Sequence, residues 1–301
     1  MNLQTAIPPF SLKNPVILAS GTVGYGTELD GQIELRRLGA LVCKGTTLTP
    51  RLGNPQPRIA ETPAGLLNSI GLENIGIDRL ISEKAPVWAT WSLPVVVNLA
   101  GGTVAEYLEM ADRLNGVAGV SGIELNLSCP NVDGGLEFGT NPQLAAQVVS
   151  VVRRITALPL WVKLSPNVTD IVEIAQAVAE AGADALTLVN TLKGMAVDIK
   201  TRRPVLSTIS GGLSGPAIKP VALYMVYQVA GAVGVPVIGC GGFGTADDAL
   251  EFLMAGARAV QVGTATMIDP QSPLEILRGI EDFMDREGFT DLRQLIGVAR
   301  V

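Results

Sequence analysis

The run GIELNLS at residues 122–128 alternates Ile123, Leu125 and Leu127 with Glu124, Asn126 and Ser128. A period of two is the pattern of a β-strand with two unlike faces. The flanking segments make an exposed polar face a poor reading, so these polar residues are expected to have a use inside the molecule. Seven further β-rich runs recur along the chain: NPVILAS (14–20), ALVCKG (40–45), PVVVNLA (94–100), PLWVKLS (159–165), ALTLVN (185–190), PVIGCGG (236–242) and AVQVGTA (259–265). Between them lie TVAEYLEMADRLNG, NPQLAAQVVSVVRRIT, DIVEIAQAVAEAGA, TADDALEFLMAGA and SPLEILRGIEDFMDREG, with apolar residues at helical spacing. Strands alternating with helices over about 250 residues predict the α/β class and a (β/α)8 TIM barrel, with insertions at its carboxyl-end face. One domain is expected to span residues 1–301. A doubly wound open sheet is the alternative; eight repeats and no early G-x-G-x-x-G favour the barrel.

In a barrel one strand face packs on helices and the other points inward, and chemistry gathers at the carboxyl ends of the strands. That rule assembles Lys44, Asn98, Asn126 and Lys163, each toward the end of a different run, and Asn190 with Thr191 at the end of the sixth. Any one of them alone reads equally well as a satisfied buried polar group. Six at equivalent positions favour a ligand. Asparagines match the donor and acceptor edges of a heterocycle, and two lysines favour an anion or an electron-rich ring. The glycine-rich turns IGCGGFGT (238–245) and QVGTAT (261–266) add backbone N–H groups at Gly241, Gly242, Gly263 and Thr264. Placed after the seventh and eighth strands, such turns suit a phosphate.

Composition then removes whole classes of function. A net charge of −6 with no basic stripe disfavours nucleic acid. Cys43, Cys129 and Cys240 lie too far apart in sequence for a disulfide framework or a metal cluster, which points to a reducing cytoplasm and no metal. MNLQTAIPPF does not read as a signal peptide, and the uncharged stretch 220–246 reads as helix, turn and strand rather than a membrane span. The chain has no histidine, so a Ser-His-Asp triad, a Cys-His pair and histidine-bound zinc are all excluded within it. Cys129, in the loop CPNVDGGLEFGTNP beside the polar rim, is the candidate base; Cys43 and Cys240 read as small buried hydrophobes.

The chain also resembles a known family, the class 1 dihydroorotate dehydrogenases, and within it the class 1B catalytic subunits. The resemblance covers nearly the whole chain and rests on LASGT (18–22), GNPQPRIAETPAGLLNSIGLEN (53–74), ELNLSCPN (124–131), VKLSPN (162–167), NTLKGMAVDIKTRRP (190–204), GGLSGPAIKP (211–220) and GTADDALEFLMAGARAVQVGTA (244–265). It implies FMN on this chain and oxidation of dihydroorotate to orotate in pyrimidine synthesis. By the same resemblance Ser20, Lys44, Gly45, Asn98, Asn126, Lys163 and Val189 line the flavin, while Gly215, Gly241, Gly242, Gly263 and Thr264 complete its site. Substrate falls to Lys44, Asn68, Ser69, Ile70, Gly71, Leu72, Asn126, Asn190 and Thr191, and proton abstraction to Cys129. Gly45 departs from the pattern, since relatives often carry a slightly larger residue there, so contact at that point is through backbone.

Class 1B also implies a homodimer of this chain within a heterotetramer, whose other subunit carries FAD and a [2Fe-2S] cluster and hands electrons to NAD. Three scattered cysteines cannot supply the four thiolates of such a cluster. Other readings remain open at this point: a fumarate-linked class 1A-like enzyme, a dihydropyrimidine dehydrogenase-like flavoprotein, a Schiff-base aldolase using Lys44 or Lys163, and a non-catalytic phosphate-binding barrel.

Overall fold

A computed structural model describes residues 1–128 and 138–301. Eight short strands close into a barrel: Val16–Leu18, Ala40–Val42, Val95–Leu99, Gly122–Asn126, Leu160–Lys163, Ala185–Leu188, Val237–Cys240 and Ala259–Val262. Every neighbouring pair is parallel, and Val262 pairs with Leu18 to close the ring. Each strand lies within one of the runs identified from alternation, and closure overturns the open-sheet alternative.

Outward-facing Leu18, Leu41, Val97, Leu125, Val162, Leu186 and Val260 belong to the large core shared with the surrounding helices. Those helices are Val104–Arg113, Pro142–Ile155, Ile171–Glu180, Lys219–Ala230, Ala246–Met254 and Ser272–Arg286. Their starts are written locally: Thr103, Asn141, Asp170 and Thr245 each accept a backbone N–H from the first turn. Thr245 and Asp248 complete a capping box. The uncharged stretch 220–246 supplies the helix Lys219–Ala230 and the seventh barrel strand. Among the described residues, no helix is long and apolar enough to cross a membrane. After the first strand the repeat departs from pattern, with a short 3-10 turn at Leu35–Arg37 in place of a full helix.

Inward-facing Ile17, Ala40, Val42, Val96, Trp161, Ala185, Ile238 and Ala259 form a second, smaller core. A hairpin of Thr5–Ile7 and Phe10–Leu12, which alternation did not reveal, plugs it from the amino end. Ile7 and Leu12 are fully buried there, and Phe10 meets Trp161 edge-on at 5.7 Å. With that end stoppered, the carboxyl end is left for a ligand.

The insertions foreseen at that end form a four-stranded antiparallel sheet, ordered Leu192–Gly194, Gly211–Ser214, Gly65–Asn68, Ile59–Thr62. It joins the segment after the second barrel strand to the segment after the sixth. Leu213 pairs with both Leu192 and Leu67.

Candidate active site

Above the apolar layers the barrel interior turns polar. Glu124, wholly buried, points inward from the fourth strand, in register with Trp161 across the pair. Its Oε1 accepts from Asn98 Nδ2 at 2.8 Å, and its Oε2 accepts from Thr187 Oγ1 at 2.8 Å and Gln261 Nε2 at 2.7 Å. Gln261 also donates to Thr187 Oγ1 at 3.2 Å. Three residues from three other strands thus converge on one carboxylate. Thr187 and Gln261 were invisible to the sequence reading, because their polar positions fall mid-strand and become a cluster only on closure.

Lys163 enters the same interior from the fifth strand, in register with Asn126 on one side and Thr187 on the other. Burial works against its charge, but the facing Cys240 and Glu124 outweigh that and hold its pKa above the ordinary lysine value. Cys240 is itself pushed up by burial, partly offset by Lys163. A protonated Lys163 is a poor amine nucleophile, which counts against a Schiff base at this lysine. Cys43 is buried and pushed up to about 12, chiefly by burial, in keeping with an inert packing role.

At the rim, Asn190 Nδ2 donates to Asn126 Oδ1 at 3.2 Å, and Asn190 Oδ1 accepts the Thr191 N–H at 2.8 Å. Tyr107 OH donates to the Asn126 carbonyl at 2.6 Å. Asn167, which lies in the VKLSPN stretch but was given no role, donates to the Thr191 carbonyl at 3.0 Å and accepts from the Lys193 N–H at 2.8 Å. Asn68 reaches the same place from the inserted sheet, donating to the Gly212 carbonyl at 3.1 Å. A Cβ on Gly212 would lie 2.0 Å from Thr191 Oγ1, so a glycine is what lets sheet and rim meet. Lys44 is half-buried at the end of the second strand, and Gly45 follows it. A Cβ on Gly45 would lie 3.1 Å from Asn98 Oδ1 and 3.5 Å from Leu72, which draws these three positions together.

Ser69, Ile70 and Gly71 turn elsewhere. Asn54 donates to Ser69 Oγ at 3.0 Å, the Asn54 N–H donates to the Ile70 carbonyl at 2.9 Å, and a Cβ on Gly71 would strike Asn54. The Ser69 hydroxyl and the Ile70 carbonyl thus brace the inserted segment through Asn54. Leu72 sits at φ +55°, a costly conformation for a bulky residue, with its carbonyl held by Asn74 Nδ2 at 2.7 Å.

The glycine-rich turns also converge. Gly242 has φ +86°, and a Cβ there would lie 2.6 Å from the Lys219 nitrogen and 2.8 Å from the Gly215 carbonyl oxygen. Gly215, at φ +91°, would strike Gly65, and Gly241 lies beside Val189. Thr264 Oγ1 donates to Ser214 Oγ at 2.9 Å, while Gly263 lies beside Ala19, the neighbour of Ser20. Cys129 lies outside the described residues. Next to it, Ser128 Oγ is buried without a partner among the described residues, as is Asn98 Oδ1.

These features fit a flat cofactor with a phosphate tail. Two buried polar oxygens lack partners at the mouth, and glycines make a cradle that side chains would fill. The sequence model of the family described as dihydroorotate dehydrogenase matches residues 2–284. The chain is 54% identical over 301 residues, 100% of its own length and 99% of the relative's, to the dihydroorotate dehydrogenase B (NAD(+)), catalytic subunit, of Geotalea daltonii. It is 57% identical over 287 residues, 95% and 94% of the two chains, to the protein of that name from Pelobacter propionicus. A barrel with this polar interior, matched over this much of its length, belongs to the dihydroorotate dehydrogenase family.

Proposed function

We propose that this chain is the FMN-carrying catalytic subunit of an NAD-linked dihydroorotate dehydrogenase, a single domain of residues 1–301 working in the cytoplasm in pyrimidine synthesis. The observation that carries the reading is the barrel interior and its mouth, where Asn98 and Ser128 hold buried oxygens without partners among the described residues, Lys163 is buried, and the glycine turns converge. When bound, FMN supplies the two-electron acceptor for the hydride leaving C6 of dihydroorotate.

The chain's own residues do the rest. Ser20, Lys44, Gly45, Asn98, Asn126, Lys163 and Val189 hold the ring system, and Gly215, Gly241, Gly242, Gly263 and Thr264 receive the phosphate. Lys44 and the amides of Asn68, Asn126 and Asn190, with Thr191 and the backbone of Ser69 to Leu72, orient the substrate carboxylate and ring. Asn190 is already turned by its bonds to Asn126 and Thr191, so little freedom is lost on binding. Cys129 takes the C5 proton, a role open to a thiolate in a chain with no histidine. Lys163 presents its positive charge where negative charge collects as the substrate is oxidised. Electrons leave through a partner subunit carrying FAD and a [2Fe-2S] cluster, in a heterotetramer built on a dimer of this chain.

Anaerobic mixing of the purified protein with dihydroorotate tests this. Visible flavin absorbance should bleach rapidly; bound flavin that stays yellow would exclude this substrate, and a colourless protein would exclude the cofactor. The variant Cys129→Ser should keep its flavin and lose about 10²–10⁴-fold in bleaching rate near pH 7. An unchanged rate would remove Cys129 from the reaction.

A further inference from the structure

Glu124 is a wholly buried carboxylate in the polar interior of the barrel. Asn98, Thr187 and Gln261 all turn donors toward it, which is the arrangement an ionised, acceptor-only carboxylate requires. The bond from Thr187 to Glu124 runs from the sixth strand to the fourth and so passes over the fifth. The fifth-strand residue in register with Thr187 is Lys163. A fixed anion therefore lies beside the stem of a buried cation, and both face the floor of the proposed ring site.

We propose that Glu124 is a positioning residue of the flavin site, whose carboxylate, clamped by Asn98, Thr187 and Gln261, is the counter-charge that keeps Lys163 an ammonium ion. The inference rests on the flavin reading above and deepens it. Three donors from three strands hold the carboxylate in place, so its field at Lys163 is pre-oriented. The same clamp orients Asn98: with Nδ2 committed to Glu124, Oδ1 is left without a partner beside Gly45. The other titratable groups that face the pair are Cys240 from the seventh strand, opposite Lys163, and Cys43, just after the second strand and opposite Glu124. Both cysteines are raised by burial; Cys240 also faces Lys163 and supports its charge together with Glu124, but only Glu124 is clamped by three donors.

The test is the flavin midpoint potential against pH, set by dye equilibration and needing no dihydroorotate. Where Lys163 is deprotonated before reduction and protonated after it, the curve steepens by one proton per two electrons. In the wild type this alkaline break should lie above the ordinary lysine range. In Glu124→Gln it should appear about 1–3 pH units lower, and it should be absent when Lys163→Met is combined with Glu124→Gln. An unmoved break in Glu124→Gln, or a shift in potential that persists without Lys163, would overturn the proposal. Glu124→Asp, which keeps the charge on a shorter side chain, is the second variant and covers a Gln variant that does not fold. Its break should stay near that of the wild type, and a fall as large as a full charge loss would make the role one of packing. A protein that binds flavin but is not bleached by dihydroorotate still reports on Glu124, so the two readings fail separately.

Discussion

Asn98 Oδ1 and Ser128 Oγ are buried oxygens without partners among the described residues, and each such group costs about 1–3 kcal/mol. A fold tolerates that cost where a ligand later fills the gap, and both atoms stand at the mouth rather than in the apolar layers. Leu72, held at φ +55° next to Gly45, is a second local cost at the same place. Gly242 shows the constraint from the other side. Any side chain there would press on the Lys219 nitrogen and the Gly215 carbonyl and would also be strained at φ +86°. Gly242→Ala is therefore expected to weaken FMN binding by about tenfold or more, a loss of about 1.4 kcal/mol, read by flavin fluorescence on titrating the apoprotein. Undiminished affinity would move the phosphate away from this turn.

At the scale of elements, the amino-terminal hairpin and the helix caps carry stability while the opposite end carries the site. Ile7 is fully buried in the plug, so Ile7→Ala should cost about 2–5 kcal/mol in urea unfolding. It should leave the flavin spectrum unchanged, because the plug and the mouth lie at opposite ends; a changed spectrum would mean the two ends are coupled. The capping box at Thr245 has an acid limit. Burial alone would raise Asp248, but the Lys219 ammonium and bonds from Gly244 and Thr245 outweigh it and hold the carboxyl at about 2. A carboxyl with a depressed folded pKa stabilises fully above its ordinary value of 3.8 and loses that contribution as pH falls through about 2. Acid unfolding of Asp248→Asn should accordingly show a weaker pH dependence in that window than the wild type. Equal slopes would place the acid sensitivity elsewhere.

At the scale of the whole molecule, the inserted sheet ties Asn68 to Gly212 across 144 residues of chain, joining the insertions after the second and sixth barrel strands. The barrel beneath gathers Asn98, Glu124, Lys163, Thr187 and Gln261 from five strands. In the proposed division of labour this chain reduces its flavin but lacks the cluster that carries electrons onward. The isolated chain is therefore expected to reduce neither NAD nor fumarate efficiently, and addition of the FAD and iron-sulfur subunit should restore NAD reduction. Efficient fumarate turnover by the isolated chain would assign it to the fumarate-linked branch instead.

Periodicity by itself determined the eight strands, the main helices and the closed count, because a period of two or 3.6 is a local property of neighbouring residues. Position at strand ends likewise made Lys44, Asn98, Asn126, Lys163, Asn190 and Thr191 legible as a rim, and the bond between Asn126 and Asn190 agrees with that reading. The resemblance added the candidate roles of the glycines and of Cys129, which lies outside the described residues. Tertiary structure alone decided the amino-terminal plug and the inserted sheet that brings Thr191 and Asn68 together through Gly212. It alone decided the burial of Glu124 among donors 26, 63 and 137 residues away. Contacts of that range come into being when the barrel closes, and a polar residue in mid-strand carries no local sign of which partners closure will bring to it.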